Sequence, residues 1–89
     1  MARLACTSNV TNQTGLKPCE ADGRTVAEVL SSVSGRFPKL RSYILDDQGE
    51  VRKHITIFVG STAITDRVRL SDPVEGDAEV FIAQALSGG

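Results

Sequence analysis

The chain has 89 residues, 40% of them hydrophobic, and its ten basic and eleven acidic side chains give a formal net charge of −1. This size predicts a single domain that buries about two thirds of its unfolded surface. The charges are spread along the chain, which argues against the basic face with which nucleic-acid binders neutralise phosphates. Because residues 1–6 contain no long apolar run, we expect no signal peptide, no membrane association and a cytoplasmic location.

The first 21 residues predict a β-hairpin. Residues 4–10 have weak strand character, residues 11–15 form a polar turn ending in Gly15, and residues 16–21 return as the second strand. Because Pro18 has no N–H to donate, the second strand is expected at a sheet edge. A tight register can place Cys6 opposite Cys19. Their spacing lacks the paired motif of zinc or iron–sulfur sites, so we expect two reduced thiols and no bound metal.

The clearest local pattern is a helix over residues 26–34. Thr25 and Glu28 fit a capping box, in which each side chain accepts a hydrogen bond from a free amide at the helix start. Gly35 suits the left-handed position after a helix, and Pro38 prevents the helix from resuming. One face is apolar at the helical spacing i, i+3, i+4 and i+7, and consists of Val26, Val29, Leu30 and Val33.

The second half of the chain predicts short elements separated by turns. Residues 40–44 fit a helical turn, residues 52–59 and 79–83 are strands, and residues 63–64 and 68–70 are short extended pieces. In the strand at residues 52–59, Ile55, Ile57 and Val59 share one face, while His54 and Phe58 share the other. This order of elements predicts an α+β domain in which one helix lies across a mixed sheet.

No stretch of the sequence carries a self-sufficient active site. It has no glycine-rich nucleotide loop, and its single histidine, His54, is expected to be a solvated side chain on a strand. Residues 46–49 lack the alternating ligands of a calcium loop. Any reaction must therefore occur on a group that the chain carries into a partner.

The predicted last strand leads directly into residues 84–89, which end in Gly88 and Gly89. Glycine lacks a Cβ atom, so a partner's backbone can close tightly around this tail. Six extended residues reach roughly 20 Å, long enough to enter a channel in another protein. We expect residues 1–83 to form the domain and residues 84–89 a mobile, exposed tail whose terminal carboxylate carries the chemistry. The alternative is a frayed chain end.

These features resemble the ubiquitin-like sulfur carriers, which include the small subunit of molybdopterin synthase and the carriers of the thiamin and cysteine pathways. The matching features are the Gly88-Gly89 terminus, the capped helix after a hairpin, and two blocks at residues 54–59 and 73–82. The lead-in to the glycines, Gln84-Ala85-Leu86-Ser87, differs from the small apolar lead-in of many carriers, which leaves the pathway open.

The resemblance implies a β-grasp (ubiquitin-like) fold with a mixed sheet of four to five strands, one main helix and a flexible tail. It implies that a separate ubiquitin-activating-like adenylyltransferase uses ATP and Mg to adenylate the Gly89 carboxylate. A sulfur donor, either a persulfide enzyme or sulfide, then displaces AMP and leaves a thiocarboxylate, 1-thioglycine at Gly89. An acceptor enzyme consumes that sulfur. The chain itself is then a carrier without a bound cofactor, or the small subunit of a synthase.

Two other functions use the same features. In a protein modifier, a lysine amine attacks the activated Gly89 and forms an isopeptide bond. In a non-covalent β-grasp interaction domain, the tail is incidental.

We expect the partner to bind the tail together with a patch on the sheet. Val80 and Ile82 should face the helix, which turns Phe81 outward beside Phe58, at positions similar to the recognition patch of ubiquitin. Alternatively, residues 40–45 cover both rings in a second small core. The expected contacts in the tail are Gln84, Ala85, Leu86, Ser87 and Gly88.

Overall fold

The computed structural model describes residues 1–85, which form a five-stranded mixed sheet and three helices. The sheet order is β2-β1-β5-β3-β4, so the last strand lies at the centre, parallel to β1 and antiparallel to β3. The strand β2, which follows Pro18, lies at an edge, as predicted. In chain order the elements are β1 (Ala2–Cys6), α1 (Ser8–Thr14), β2 (Cys19–Ala21), α2 (Val26–Val33), α3 (Leu40–Ile44), β3 (Ile55–Val59), β4 (Thr62–Ala63) and β5 (Glu79–Gln84).

The first connection is a helix, so the predicted turn at residues 11–15 is wrong. The alternating pattern of residues 4–10 stops at Thr7, the residue before the start of α1, and Val10 is buried on the helix instead of on a strand. Gly15 ends the helix in the left-handed conformation at φ 80°. The strands β1 and β2 still pair antiparallel, with Leu4 opposite Cys19, so Cys6 does not lie opposite Cys19.

The helix α2 begins with the predicted cap and contributes its apolar face to the core. Thr25 Oγ1 accepts a hydrogen bond from Glu28 N at 3.2 Å, and Glu28 Oε1 accepts one from Arg24 N at 2.9 Å. Gly35 lies outside the left-handed region, because the helix ends at Ser34 in right-handed geometry. The predicted face Val26, Val29, Leu30 and Val33 is buried in one cluster with Ile55, Ile57, Val80 and Ile82.

Two boundaries in the second half of the chain differ from prediction. The strand β3 begins at Ile55, and the residues before it form a turn, so His54 is exposed in that turn and does not lie on a strand. Residues 68–70 are not extended, because the Asp66 carboxylate accepts hydrogen bonds from Val68 N and Arg69 N and folds them into a turn. The segment at residues 40–44 is helical, as predicted.

Candidate functional site

The candidate site is the root of the tail, where the central strand β5 ends. Gln84, predicted to begin the tail, is the last residue of β5 and lies opposite Ile55. Ala85 is exposed, but its N–H still donates to His54 O at 2.9 Å. On the other side, Gln84 N donates to Thr7 Oγ1 at 3.4 Å. The chain is therefore held on the β1 side through Gln84 and on the β3 side through Ala85. The predicted site residues Leu86, Ser87, Gly88 and Gly89 lie outside the described residues.

Side chains from two earlier segments meet at this root. The Tyr43 hydroxyl donates to Gln84 Oε1, which ties α3 to the end of β5. The Tyr43 ring also stands edge-on to the His54 imidazole, with centroids 6.3 Å apart and an interplanar angle of 88°. These contacts could not be predicted from the sequence, because no local pattern relates Tyr43 to a strand that ends 41 positions later.

Arg67 fixes the turn that carries the His54 carbonyl. Its Nη2 atom donates to Arg52 O at 2.6 Å and Ile55 O at 2.7 Å, with a longer contact to Val51 O at 3.4 Å. Its own carbonyl accepts from Val51 N at 2.9 Å. The Arg67 side chain thus stabilises the turn whose His54 carbonyl accepts from Ala85 N. It also supplies hydrogen-bond donors to the partly buried carbonyls of Arg52 and Ile55. Sequence reasoning missed Arg67, since its role depends on contacts made across the fold.

Phe58 and Phe81 lie directly opposite each other on the sheet face turned away from α2, as predicted. They occupy facing positions on β3 and β5, where Cβ atoms are about 5 Å apart. Both rings are half-buried, and neither belongs to the core cluster. Ala5 on β1 and Ala63 on β4 extend the row on either side. We call this row, Ala5, Phe81, Phe58 and Ala63, the outer apolar row.

Residues 40–45 do not build a second core over these rings. Leu40, Ile44 and Leu45 are at most 4% exposed, and all three belong to the main core together with the apolar face of α2. Within residues 1–85, the segment at residues 40–45 therefore does not cover the outer apolar row, which includes Phe81 of β5.

The two cysteines are free thiols that lie partly buried against the core. Burial raises the pKa of the Cys6 thiol, and the Cys19 thiol adds to the effect, while a hydrogen bond with Thr11 opposes it. The Cys6 Sγ atom lies 3.2 Å from Thr11 Oγ1. A thiol that stays protonated is a poor nucleophile, so Cys6 does not have the character of a reactive cysteine.

Within residues 1–85, no group of three or more His, Cys, Asp or Glu side chains is arranged to hold a metal ion. None of the helices in that part of the chain has the length and apolar character needed to cross a membrane.

Several solved structures have the same fold. The chain is 23% identical to SAMP1, the small archaeal modifier protein 1, from Haloferax volcanii, with a TM-score of 0.78 over 99% of this chain and 98% of that one. A chain of the Amycolatopsis orientalis BexX/CysO complex is 21% identical, with a TM-score of 0.85 over the full length of both. Mycobacterium tuberculosis CysO, described as an antigen, is 18% identical, with a TM-score of 0.82 over 97% of this chain and 100% of that one.

These comparisons establish a β-grasp, ubiquitin-like fold, in agreement with the fold expected from the sequence. No protein-family model matches the sequence, and no curated protein matches it significantly.

Proposed function

We propose that this chain is a sulfur carrier whose reactive group is the carboxylate of Gly89. A separate adenylyltransferase, using ATP and Mg, converts that carboxylate into an acyl-adenylate with release of pyrophosphate. A persulfide or sulfide then attacks the acyl carbon and AMP leaves. With a persulfide donor, a reductant cleaves the remaining sulfur–sulfur bond. The product is a thiocarboxylate, 1-thioglycine at Gly89, whose sulfur passes to an acceptor enzyme.

The observation that carries the proposal is the anchored root of the tail. Ala85 N is bonded to His54 O at 2.9 Å, and four residues later the sequence ends in two glycines. This last hydrogen-bonded residue lies at the end of the central strand, four positions beyond Phe81 of the outer apolar row. This arrangement suits a carrier, because a partner that grips the row can receive the chain end at a fixed distance.

The residues around the root have a positioning role in this proposal. Tyr43 and Gln84 are hydrogen-bonded to each other, so we assign their polar groups to holding the end of β5. A carboxylate is a weak electrophile, and the adenylate made by the partner supplies the leaving group that the reaction needs. The solved complex that contains BexX and CysO favours a function exercised through a partner protein.

The test is to reconstitute sulfur loading with the adenylyltransferase, ATP, Mg and a sulfide donor, followed by intact-mass measurement and peptide mapping. We expect the mass of the chain to increase by the difference between a sulfur atom and an oxygen atom. Peptide mapping should place that increase on the peptide that contains Gly89. Cys6→Ala should load normally, whereas Gly88→Val, or one residue added after Gly89, should abolish adenylation and leave the fold intact. Normal ATP–pyrophosphate exchange with Gly88→Val would overturn the proposal, as would sulfur found on Cys6 or Cys19.

A protein modifier is the second candidate, and the likeness to small archaeal modifier protein 1 favours it. The same acyl-adenylate would then be attacked by a lysine amine of another protein. Conjugation gives new species of high mass that contain the Gly89 peptide, whereas sulfur loading leaves the chain at its own mass with one atom exchanged. If function survives removal of Gly88 and Gly89, both covalent roles fail, and a non-covalent interaction domain takes their place.

A further inference from the structure

A recessed site that contains no residue of the outer apolar row lies between α2, the loop after α3 and the loop that precedes β5. It is a cavity of about 260 Å³. Three of its lining residues, Leu30, Leu45 and Leu70, are at most 4% exposed and provide an apolar base. Val68, also in the lining, is 55% exposed, which is unusual for a large apolar side chain in the described part of the chain.

The loop that forms one wall of the cavity is held in an unfavourable conformation. Leu70 has a φ of 55°, and it is the sole non-glycine residue with positive φ within residues 1–85. Hydrogen bonds fix it there: Leu70 N donates to Asp66 O at 3.1 Å, and Ala27 N donates to Leu70 O at 2.9 Å. Left-handed geometry costs energy for a residue with a Cβ atom, and such strain clusters at functional positions.

The charged side chains of the cavity lining are cationic. Arg41 from α3 and Arg69 from the strained loop both line it, and no acidic side chain of residues 1–85 does. Four acidic residues lie on the adjacent loops but do not line the cavity: Asp46, Asp47, Glu50 and Asp66. The Asp46 carboxylate accepts a hydrogen bond from Gln48 N at 2.8 Å, and the Asp66 carboxylate accepts one from Arg69 N at 2.9 Å.

A neighbouring depression on α2 has the opposite character. Asp22 and Glu28 line it, and it shares Ala27 and Ser31 with the cationic cavity. The charged side chains that line the two depressions therefore differ in sign, and this difference can select ligands by charge.

We propose that the cavity between Arg41 and Arg69 is a docking site for a short acidic segment of a partner protein. One apolar side chain of that segment inserts against Leu30, Leu45 and Leu70, and the flanking carboxylates pair with the two arginines. The volume of about 260 Å³ lies below the roughly 300–1,000 Å³ of small-molecule sites, which suits a single anchoring side chain. This site does not depend on the tail, so it stands independently of sulfur transfer.

The test is an NMR titration of the full chain with the blocked tripeptide acetyl-Asp-Leu-Asp-amide, with acetyl-Asn-Leu-Asn-amide as the uncharged control. We expect the acidic peptide to shift the amide signals of Ser31, Gln48, Gly49 and Arg69, and to bind more tightly than the control. Arg41→Gln or Arg69→Gln should each weaken binding by roughly threefold, as expected for exposed charge pairs. Arg3→Gln, on the outer face of the sheet, is the matched variant that should leave binding unchanged.

Three results would overturn the proposal. The first is the absence of shifts at millimolar peptide. The second is equal binding of the two peptides, which would assign the cavity to apolar contact alone. The third is a change of the same signals with protein concentration in the absence of peptide, which would assign the cavity to a second copy of the chain. The variants change exposed side chains, and the unchanged remainder of each spectrum verifies that the fold is intact.

Discussion

The two faces of β3 and β5 carry the same kind of side chain and have different environments. Ile57 and Ile82 lie opposite each other and are 0% exposed, while the next residues along, Phe58 and Phe81, also lie opposite each other and stay half-buried. The isoleucines join the cluster that includes the apolar face of α2, and the phenylalanines do not. Alternation along a strand therefore identifies which residues share a face, but burial depends on whether another element covers that face.

Substitutions on the face that α2 covers should have the largest effect on stability. Replacing Ile57 or Ile82 by alanine should lower the free energy of unfolding by about 2–5 kcal/mol, because it leaves a cavity in a closely packed core. Urea denaturation followed by circular dichroism measures the loss. A loss below about 1 kcal/mol would mean that the covered face is packed no better than the open one.

Arg67 offers a way to disturb the root without altering either face. Arg67→Met removes the donors to the carbonyls of Arg52 and Ile55, which should cost about 1–3 kcal/mol of unfolding free energy. Hydrogen exchange at Ala85 should become faster, since its acceptor is in the turn that Arg67 holds. Arg69→Met, on the same loop with an exposed side chain, is the control. Equal exchange in the two variants would show that Arg67 does not fix the root.

The open face should matter for binding more than for stability. Phe58→Ala or Phe81→Ala should weaken binding to the adenylyltransferase about tenfold or more, since aromatic anchors often contribute about 2 kcal/mol at interfaces. The free fold should lose little. Calorimetry of the complex and thermal unfolding of the same variant give the two quantities. Unchanged affinity together with a large loss of stability would place both rings in the core.

Lowering the pH should weaken the loop held by Asp66 before it weakens the pairing of the strands. Hydrogen bonds from Arg69 N, and then from the Ser71 hydroxyl, lower the pKa of Asp66 to about 2 from its ordinary value of 3.8. Because the folded state favours the ionised carboxylate, its contribution is complete above about pH 4 and is lost as the pH falls towards 2. Hydrogen exchange should therefore increase at Arg69 before it increases at Phe81. Asp66→Asn should flatten this pH dependence, and exchange that rises equally at both positions would contradict the order.

The sequence predicted those parts of the fold that depend on local patterns. The cap of Thr25 and Glu28 and the apolar stripe placed α2 nearly to the residue, and parity placed Phe58 beside Phe81 once the two strands were taken as neighbours. The helix α1 was missed because Leu4, Cys6 and Val10 fit the spacing of a strand equally well.

The root of the tail was only partly predictable. The predicted boundary put Gln84 in the tail, but pairing with Ile55 continues the strand through it. The contacts of Tyr43 and Arg67 at the root join residues distant in sequence, and their donors find acceptors only after the sheet has formed. Such contacts leave no periodic pattern in a single sequence.

The position of β5 between β1 and β3 also bears on biosynthesis. Because β5 comes last among the strands of residues 1–85, a nascent chain that stops before residue 79 has two unpaired strand edges where the centre of the sheet should be. Open edges of this kind recruit other chains and favour aggregation. Truncated products are then recognisable as misfolded, and only a chain translated past β5 can present its final residues on a completed sheet.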